Sequence, residues 1–423
     1  MSFWRPIYTA LWMLGLLVIP ILALRNEKIR RWWRARKVAP PLPPKERPVL
    51  WMHCASVGEF EQGRPVLEYI IQRLPYRPYV VISFFSSSGW QRYQQSYPIG
   101  DWVGPAPIDL PWVVRKWVKT LQPAAVFFVK YDLWPNLLHE LHAAKCPSYL
   151  LSAHVEPVKG LRWWWKIRFF PYLKWIFVQT EKDAQRLRQV GFSKVTVAGD
   201  SRLVRVRQLA ENWLPISGLY EWINGHFCIV AGSVWEDDVR FLAQAYEQLR
   251  GYSVHWILVP HDVSPKQVEL IHRIWPVRCA QYSHPEWNGN KDTLILDTTG
   301  LLAYVYFYAH AVWVGGGFGK GIHNILEAII YKKPVFFGPN YEYFSEAHEL
   351  IALRVAESCR YPVSFSNAIK SLIKDRRRLQ IIAEKVDKYI QHKPNTPEIV
   401  WQHLKEEGWV SPVTDQAAQE DVG

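Results

Sequence analysis

The chain has 423 residues, 49% of them hydrophobic, and a formal net charge of +13. That length suits two domains of roughly 150–200 residues each, and the basic balance asks for an anionic partner, whether nucleic acid, phosphorylated substrate or acidic lipid. The five cysteines (Cys54, Cys146, Cys228, Cys279, Cys359) have no C-x-x-C spacing and an odd count, which argues against a zinc site or a disulfide framework and for a reducing compartment.

The first element is an apolar run. Residues 6–24, PIYTALWMLGLLVIPILAL, carry no charge. As a helix they reach roughly 28 Å, near the thickness of a bilayer core. RNEKIRRWWRARK follows, with seven basic residues against one acidic. That flank puts the rest of the chain on the cytoplasmic side. Residues 1–37 therefore read as a membrane anchor with a basic flank. Pro20 leaves open whether the anchor spans the bilayer or lies in its interface. Residues 38–48 form a proline-rich, semi-rigid spacer.

From residue 49 the chain alternates apolar strands with helical patterns, the signature of parallel sheets covered on both faces. Residues 49–205 read as one doubly wound α/β domain. Residues 206–222 blur and read as a linker. Residues 223–410 restart the pattern as a second domain, and 411–423 form a polar tail. Ligands of such sheets bind beyond the carboxyl ends of the strands, so the strand-to-helix loops carry the candidates.

The loop CASVGEFEQG follows the first strand of the first domain. Ser56 and Gly58 fall at the strand end, and Glu59 opens a helix facing the expected cleft. A carboxylate there suits a general base toward an incoming hydroxyl. The alternative is an acid that only favours the helix dipole; the helix N-terminus lowers a carboxylate's pKa, so Glu59 is expected to be ionised and ready to accept a proton. FFSSSGW, residues 84–90, is a second strand end with hydroxyls. FFVKYDLWPNLLHEL is a third, with Lys130 and Asp132 as substrate contacts and Trp134–Pro135 as a helix start. His139 and His142 lack the H-E-x-x-H pattern and read as ordinary helix residues. LRWWWKIRFFPYLKW, residues 161–175, interleaves basic and aromatic side chains, as suits a membrane interface.

In the second domain, Ser233 of VAGSVWEDD could donate to a phosphate or cap a helix. WVGGGFGKGIHNILEA, residues 313–328, runs from a strand through five glycines into a helical pattern expected from Ile322. It is neither a Walker A loop nor G-x-G-x-x-G. Gly316 and Gly317 let backbone approach a ligand, Lys320 and His323 add donors, and the helix start favours an anion. Glu327, on the same helical face as His323 and Asn324, could grip a ribose diol. A glycine turn made only for close packing is the competing reading.

WMHCASVGE, DLWPN, VAGDSR, GGGFGKGIHNILEA and PVFFGP, in this order, resemble the Kdo transferases, which move 3-deoxy-D-manno-octulosonic acid (Kdo) from CMP-Kdo to a lipid A precursor. The form with KYDLWPN and GKGIHNILEA is most similar to the Bacteroidetes branch. The resemblance implies a GT-B fold of two Rossmann-like doubly wound domains facing a cleft, with an N-terminal anchor helix. It implies an inverting transfer that needs neither metal nor cofactor. Glu59 would be the base, and Ser56, Gly58, Lys130 and Asp132 would meet the acceptor. Arg202, Ser233, His261, Gly316, Gly317, Lys320, His323, Asn324 and Glu327 would meet the donor. The implied partners are CMP-Kdo, the lipid A precursor and the inner-membrane surface on its cytoplasmic face, with no nucleic acid. Lys130 stands where many relatives have glutamate, His261 where many have arginine, and Val204 where many have aspartate. Two other readings remain: a GT-B transferase using a UDP-sugar, and a non-catalytic membrane or nucleic-acid binding protein.

Overall fold

Short apolar runs rich in β-branched and aromatic residues form the strands here, because such residues pack well on pleated surfaces buried on both sides. The structure is a computed structural model that describes residues 4–36, 38–86, 90, 99–130, 132–155, 167–284, 287, 289 and 291–408. The chain divides into two compact units, one of residues up to Arg205 together with the stretch from Pro394, the other Val206–Lys393.

The first unit opens with helices α1 (Trp4–Arg25) and α2 (Glu27–Ala35). Its sheet is wholly parallel, in the order β3-β2-β1-β4-β5-β6-β7. The strands are β1 (Val49–Cys54), β2 (Tyr79–Phe84), β3 (Trp102–Pro105), β4 (Ala125–Val129), β5 (Ser148–Ala153), β6 (Trp175–Val178) and β7 (Val195–Val197). Helices α3 (Val57–Arg73), α4 (Pro111–Leu121), α5 (Pro135–Ala143) and α6 (Glu181–Gln189) connect them, and α7 (Arg202–Glu211) leads out.

The second sheet is also parallel, ordered β10-β11-β9-β8-β12-β13-β14. It is built from β8 (Phe227–Val234), β9 (Val254–Pro260), β10 (Ala280–Gln281), β11 (Thr293–Ile295), β12 (Ala311–Val314), β13 (Val335–Phe337) and β14 (Ala356–Ser358). Its longer helices are α8 (Glu236–Leu249), α9 (Pro265–Ile274), α10 (Ser345–Ala352), α11 (Pro362–Lys374) and α12 (Arg377–Gln391). The last helix, α13 (Thr396–Glu406), returns to the first unit.

Two boundaries differ from the sequence reading, and two edge strands were missed. The expected linker 206–222 is largely helical: α7 runs through its start, and the turn Leu219–Ile223 buries Leu219, Trp222 and Ile223 in the second unit. The expected second domain loses its last stretch. Val400, Trp401 and Leu404 of α13 pack into the core that lies under α3, and Thr396 Oγ1 donates to Ala198 O at 2.6 Å. Hydrophobic burial thus assigns α13 to the first unit. Edge strands β3 and β14 escaped the sequence reading because they are short and only partly apolar. Residues 87–89 of the serine-rich loop, 161–166 of the basic-aromatic stretch and the tail from 409 lie outside the described residues.

Four of the five cysteines are buried, and all five are unpaired. Among the described residues one helix, over Arg5–Arg25, is long and apolar enough to cross a membrane, with most of its surface outside the core.

Candidate active site

In each sheet the strand order reverses direction at one place, and there the loops diverge to leave a crevice. In the first sheet it lies between β1 and β4, in the second between β8 and β12. The SVGE and KYD loops leave β1 and β4. The Ser233 loop and the glycine turn leave β8 and β12. Four of the five loops chosen from sequence thus lie at the two switch points, while the serine-rich loop leaves β2 beside the first of them.

Ser56 is the N-cap of α3, its Oγ accepting from Glu59 N at 3.4 Å. Glu59 Oε2 reaches back to accept from Ala55 N at 2.6 Å. This is close to a capping box, in which side chain and backbone satisfy orphan donors reciprocally. One carboxylate oxygen, Oε2, is thus committed to backbone. The expectation of a fully ionised Glu59 needs correction. Burial pushes its carboxyl up to about 7, against the pull of the Ala55 N–H; Asp132 raises it further, while His53 and Lys130 lower it. Desolvation outweighs the helix start because the half-buried carboxyl has little water around it.

Asp132 is held by a residue the sequence reading did not single out. His53 lies at the buried end of β1, with Nδ1 2.9 Å from Ser83 Oγ and Nε2 2.8 Å from Asp132 Oδ2. Trp51 Nε1 donates to the same Ser83 hydroxyl at 2.8 Å. Trp134 Nε1 also lies 2.8 Å from His53 Nε2. That nitrogen donates to Asp132 when protonated and accepts from Trp134 when not. Lys130 adopts left-handed backbone, φ 57°, and its N–H donates to Leu151 O at 2.9 Å.

Arg202 belongs to the first unit. Its Nε donates to Asp200 Oδ2 at 2.8 Å, and Gln62 Nε2 donates to Oδ1 at 3.0 Å. Burial alone would raise the Asp200 carboxyl, but the Arg202 guanidinium reverses this and holds it low.

In the second unit Ser233 does not cap α8. It sits inside β8 at φ 52°, where the ladder shifts register, and Trp235 is the cap residue. Asp238, almost fully buried, accepts from Gly316 N at 2.9 Å, Trp235 N at 3.0 Å and Trp313 Nε1 at 3.1 Å. One carboxylate thus ties the β8 loop to the glycine turn. Gly316 has φ 93°, and a Cβ on Gly317 would meet Gly338 backbone at 2.6 Å. Packing therefore accounts for part of the glycine content.

The helix expected from Ile322 is not there. Residues 321–324 are irregular, and only the turn Leu326–Ile329 is helical. The dipole of a long helix is therefore absent from this turn, and His323, Asn324 and Glu327 do not share a helical face. Asn324 instead uses both ends locally: Oδ1 accepts from Leu326 N at 3.2 Å and Nδ2 donates to Glu327 Oε1 at 3.0 Å. The His261 ring stacks on Trp235 at 4.4 Å and on His323 at 4.5 Å. Trp235 Nε1 donates to His323 Nε2 at 2.9 Å. Burial, then His261, pushes His323 down to about 4, so it is neutral at pH 7 and offers Nδ1–H as an uncharged donor. Lys320 is exposed at the tip of the turn.

Residues 30–205 match the family described as 3-deoxy-D-manno-octulosonic-acid transferase (kdotransferase). A protein named 3-deoxy-D-manno-octulosonic acid transferase from Chlamydia muridarum is 26% identical over 392 residues, covering 88% of this chain and 89% of the relative. One of the same name from Aquifex aeolicus is 25% identical over 299 residues, 69% and 76% of the two chains. The chain is similar to the Kdo transferases, through a family match over part of its length and relatives at about 25% identity over most of it. It is a glycosyltransferase of GT-B type, with two parallel seven-stranded sheets. In fold it is similar to UDP-GlcNAc 2-epimerase from Neisseria meningitidis, with a TM-score of 0.61 at 13% identity over 85% of this chain and 100% of that one. A glycosyltransferase from Rickettsia africae gives 0.58 at 11% identity over 86% and 98%.

The structure groups the candidates by unit. Ser56, Gly58, Glu59, Lys130, Asp132 and Arg202 lie in the first, the last of these expected on the donor side; Ser233, His261, Gly316, Gly317, Lys320, His323, Asn324 and Glu327 lie in the second. Sequence reasoning missed His53, Asp200, Trp235 and Asp238. His53 is a buried polar residue on an otherwise apolar strand, and Asp238 is one of three acids in the first turn of α8, each a weak signal without a partner in view.

Proposed function

We propose that this protein transfers Kdo from CMP-Kdo to a lipid A precursor, with inversion and without a metal ion. Glu59 carries the proposal: a half-buried carboxyl near 7, at the switch point of the first sheet, is matched to taking a proton at physiological pH. The acceptor hydroxyl oxygen forms a bond to the anomeric carbon of Kdo, from the face opposite the phosphate, as the bond to CMP breaks. Glu59 takes the hydroxyl proton, and the electron pair leaves on CMP, whose phosphate needs no proton.

The donor belongs to the second unit. The N–H groups of Gly315, Gly316, Gly319, Gly321 and His323 are already given within the protein, so Lys320 and the His323 Nδ1–H meet the phosphate. Glu327, steered by Asn324, meets the ribose. Lys130, Asp132 and the Asp200–Arg202 pair frame the acceptor in the first unit. The acceptor's phosphates are drawn to a basic surface, and its acyl chains stay in the bilayer that α1 enters from the cytoplasmic face of the inner membrane.

The test is transfer from CMP-Kdo to a tetra-acylated lipid A precursor with chelator present, wild type beside Glu59→Gln. Product from the wild type alone supports donor, acceptor, base and metal independence together. Turnover by Glu59→Gln rejects Glu59 as the base. No product from either, with CMP bound and UDP not, rejects the acceptor and keeps the donor.

A further inference from the structure

A helix that only tethers a protein to lipid needs an apolar surface and nothing else. Helix α1 carries more than that. Arg5, Tyr8, Thr9 and Trp12 recur at the spacing of one helical face, and each is bonded to or packed against the first unit. Ile7, Leu11, Leu14, Val18 and Ile21 recur on another face and are exposed.

The polar face closes on Asn136, which is fully buried at the start of α5. Asn136 Oδ1 accepts from Arg5 Nε at 2.8 Å, and Nδ2 donates to Thr9 Oγ1 at 3.1 Å and to Asp109 O at 2.6 Å. The buried Asp109 carboxylate accepts from the N–H groups of Asn136 and Leu137, at 3.0 and 2.8 Å, and bonds Tyr8. Arg5 Nη2 pairs with Glu140 at 2.6 Å, and Arg115 holds the same carboxylate at 2.9 Å. The first turn of α5 is thus built from both helices, since Asn136 and Asp109 have no water to replace Arg5, Tyr8 and Thr9.

The residue just before Asn136 and Pro135 is Trp134, whose indole touches the site. Its ring centroid lies 5.9 Å from Trp12 of α1 and 4.9 Å from Phe85. Phe85 is in turn held by α2 and the residue after it: Trp32 Nε1 donates to its carbonyl at 3.1 Å, and the Arg36 guanidinium lies 4.9 Å from its ring centre. Trp134 Nε1 meets His53, which meets Asp132, which with Lys130 and His53 sets the field at Glu59.

We propose that α1 is a positioning element of the acceptor-side site: through Arg5, Thr9 and Trp12 it fixes the loop that carries Asp132 and Trp134 beside Glu59. This rests on the reading of Glu59 as base, but the clamp itself is testable without turnover. The full-length protein in detergent micelles is compared with Arg5→Gln, Trp12→Leu and the outward-face double variant Val18→Ser/Ile21→Ser. Hydrogen exchange of residues 132–141 should quicken in Arg5→Gln and Trp12→Leu and stay unchanged in the outward-face variant. With saturating acceptor, Trp12→Leu should lose roughly tenfold to a hundredfold in kcat, with a displaced acid limb and little change in acceptor KM. The outward-face variant should keep wild-type kcat in micelles. Unchanged exchange in both clamp variants overturns the proposal whatever the activity. Faster exchange with wild-type kcat and pH profile overturns the positioning role. If Glu59→Gln turns over like wild type, the base reading fails, and the exchange comparison alone then decides the clamp.

Discussion

His53 and Asp132 meet at 2.8 Å, Nε2 to Oδ2, the histidine with no exposed surface and the aspartate at the head of the loop after β4. The pair spans the switch point of the first sheet and fixes a negative charge near Glu59. Replacing His53 by alanine leaves Ser83 and Asp132 without their shared partner. The expected cost is about 1–3 kcal/mol of stability, read from denaturant unfolding, with a larger proportional loss of transfer. Full activity in a folded His53→Ala protein would remove the pair from the site.

The pH profile follows from Glu59. A base must be ionised, so kcat/KM should rise with pH through about 7 in the free enzyme. Asp132 raises the Glu59 carboxyl, so Asp132→Asn should move this acid limb to lower pH. The linkage to stability has the opposite slope. A carboxyl raised in the folded state binds more protons than in the unfolded chain between its ordinary value near 4.5 and about 7. Stability therefore falls as pH rises through that window. Glu59→Gln should be more stable than wild type at pH 8 and no more stable at pH 4; equal stability at both would show that burial does not penalise the charge.

The glycine turn hangs on Asp238. Alanine there strips partners from the Gly316 and Trp235 N–H groups and the Trp313 indole. The expected loss is about 1–3 kcal/mol, with CMP affinity falling as the turn loosens. Calorimetric titration with CMP checks it. Wild-type affinity in a destabilised Asp238→Ala protein would separate the turn from the nucleotide.

Glu327→Ala should weaken CMP binding, measured by the same titration, because Asn324 then steers nothing toward the ribose. Unchanged affinity would refute the ribose contact.

Deleting residues 1–25 should release much of the protein from membranes, as sedimentation of membrane fractions would show. It should also lower the melting temperature, because Asn136, Asp109 and Glu140 lose Arg5, Tyr8 and Thr9. A deletion that leaves the melting temperature unchanged would mean that α1 contributes nothing to the fold.

Much of this molecule is local in origin. The alternation of apolar strands with helices, the uncharged run at residues 6–24 and the loops at Glu59, Asp132, Ser233 and Gly315–Gly317 follow from residue type and spacing, which sequence displays directly. Tertiary structure decided what depends on long-range partners. Burial, not the helix start, sets Glu59 near 7. His53 finds Asp132 across 79 residues, and Asp238 finds Gly316 across 78. The polar face of α1 finds Asn136, and α13 finds the core under α3. These pairings arise because a buried polar or apolar group is costly until another segment of the chain satisfies it, and no pattern within either segment names its partner.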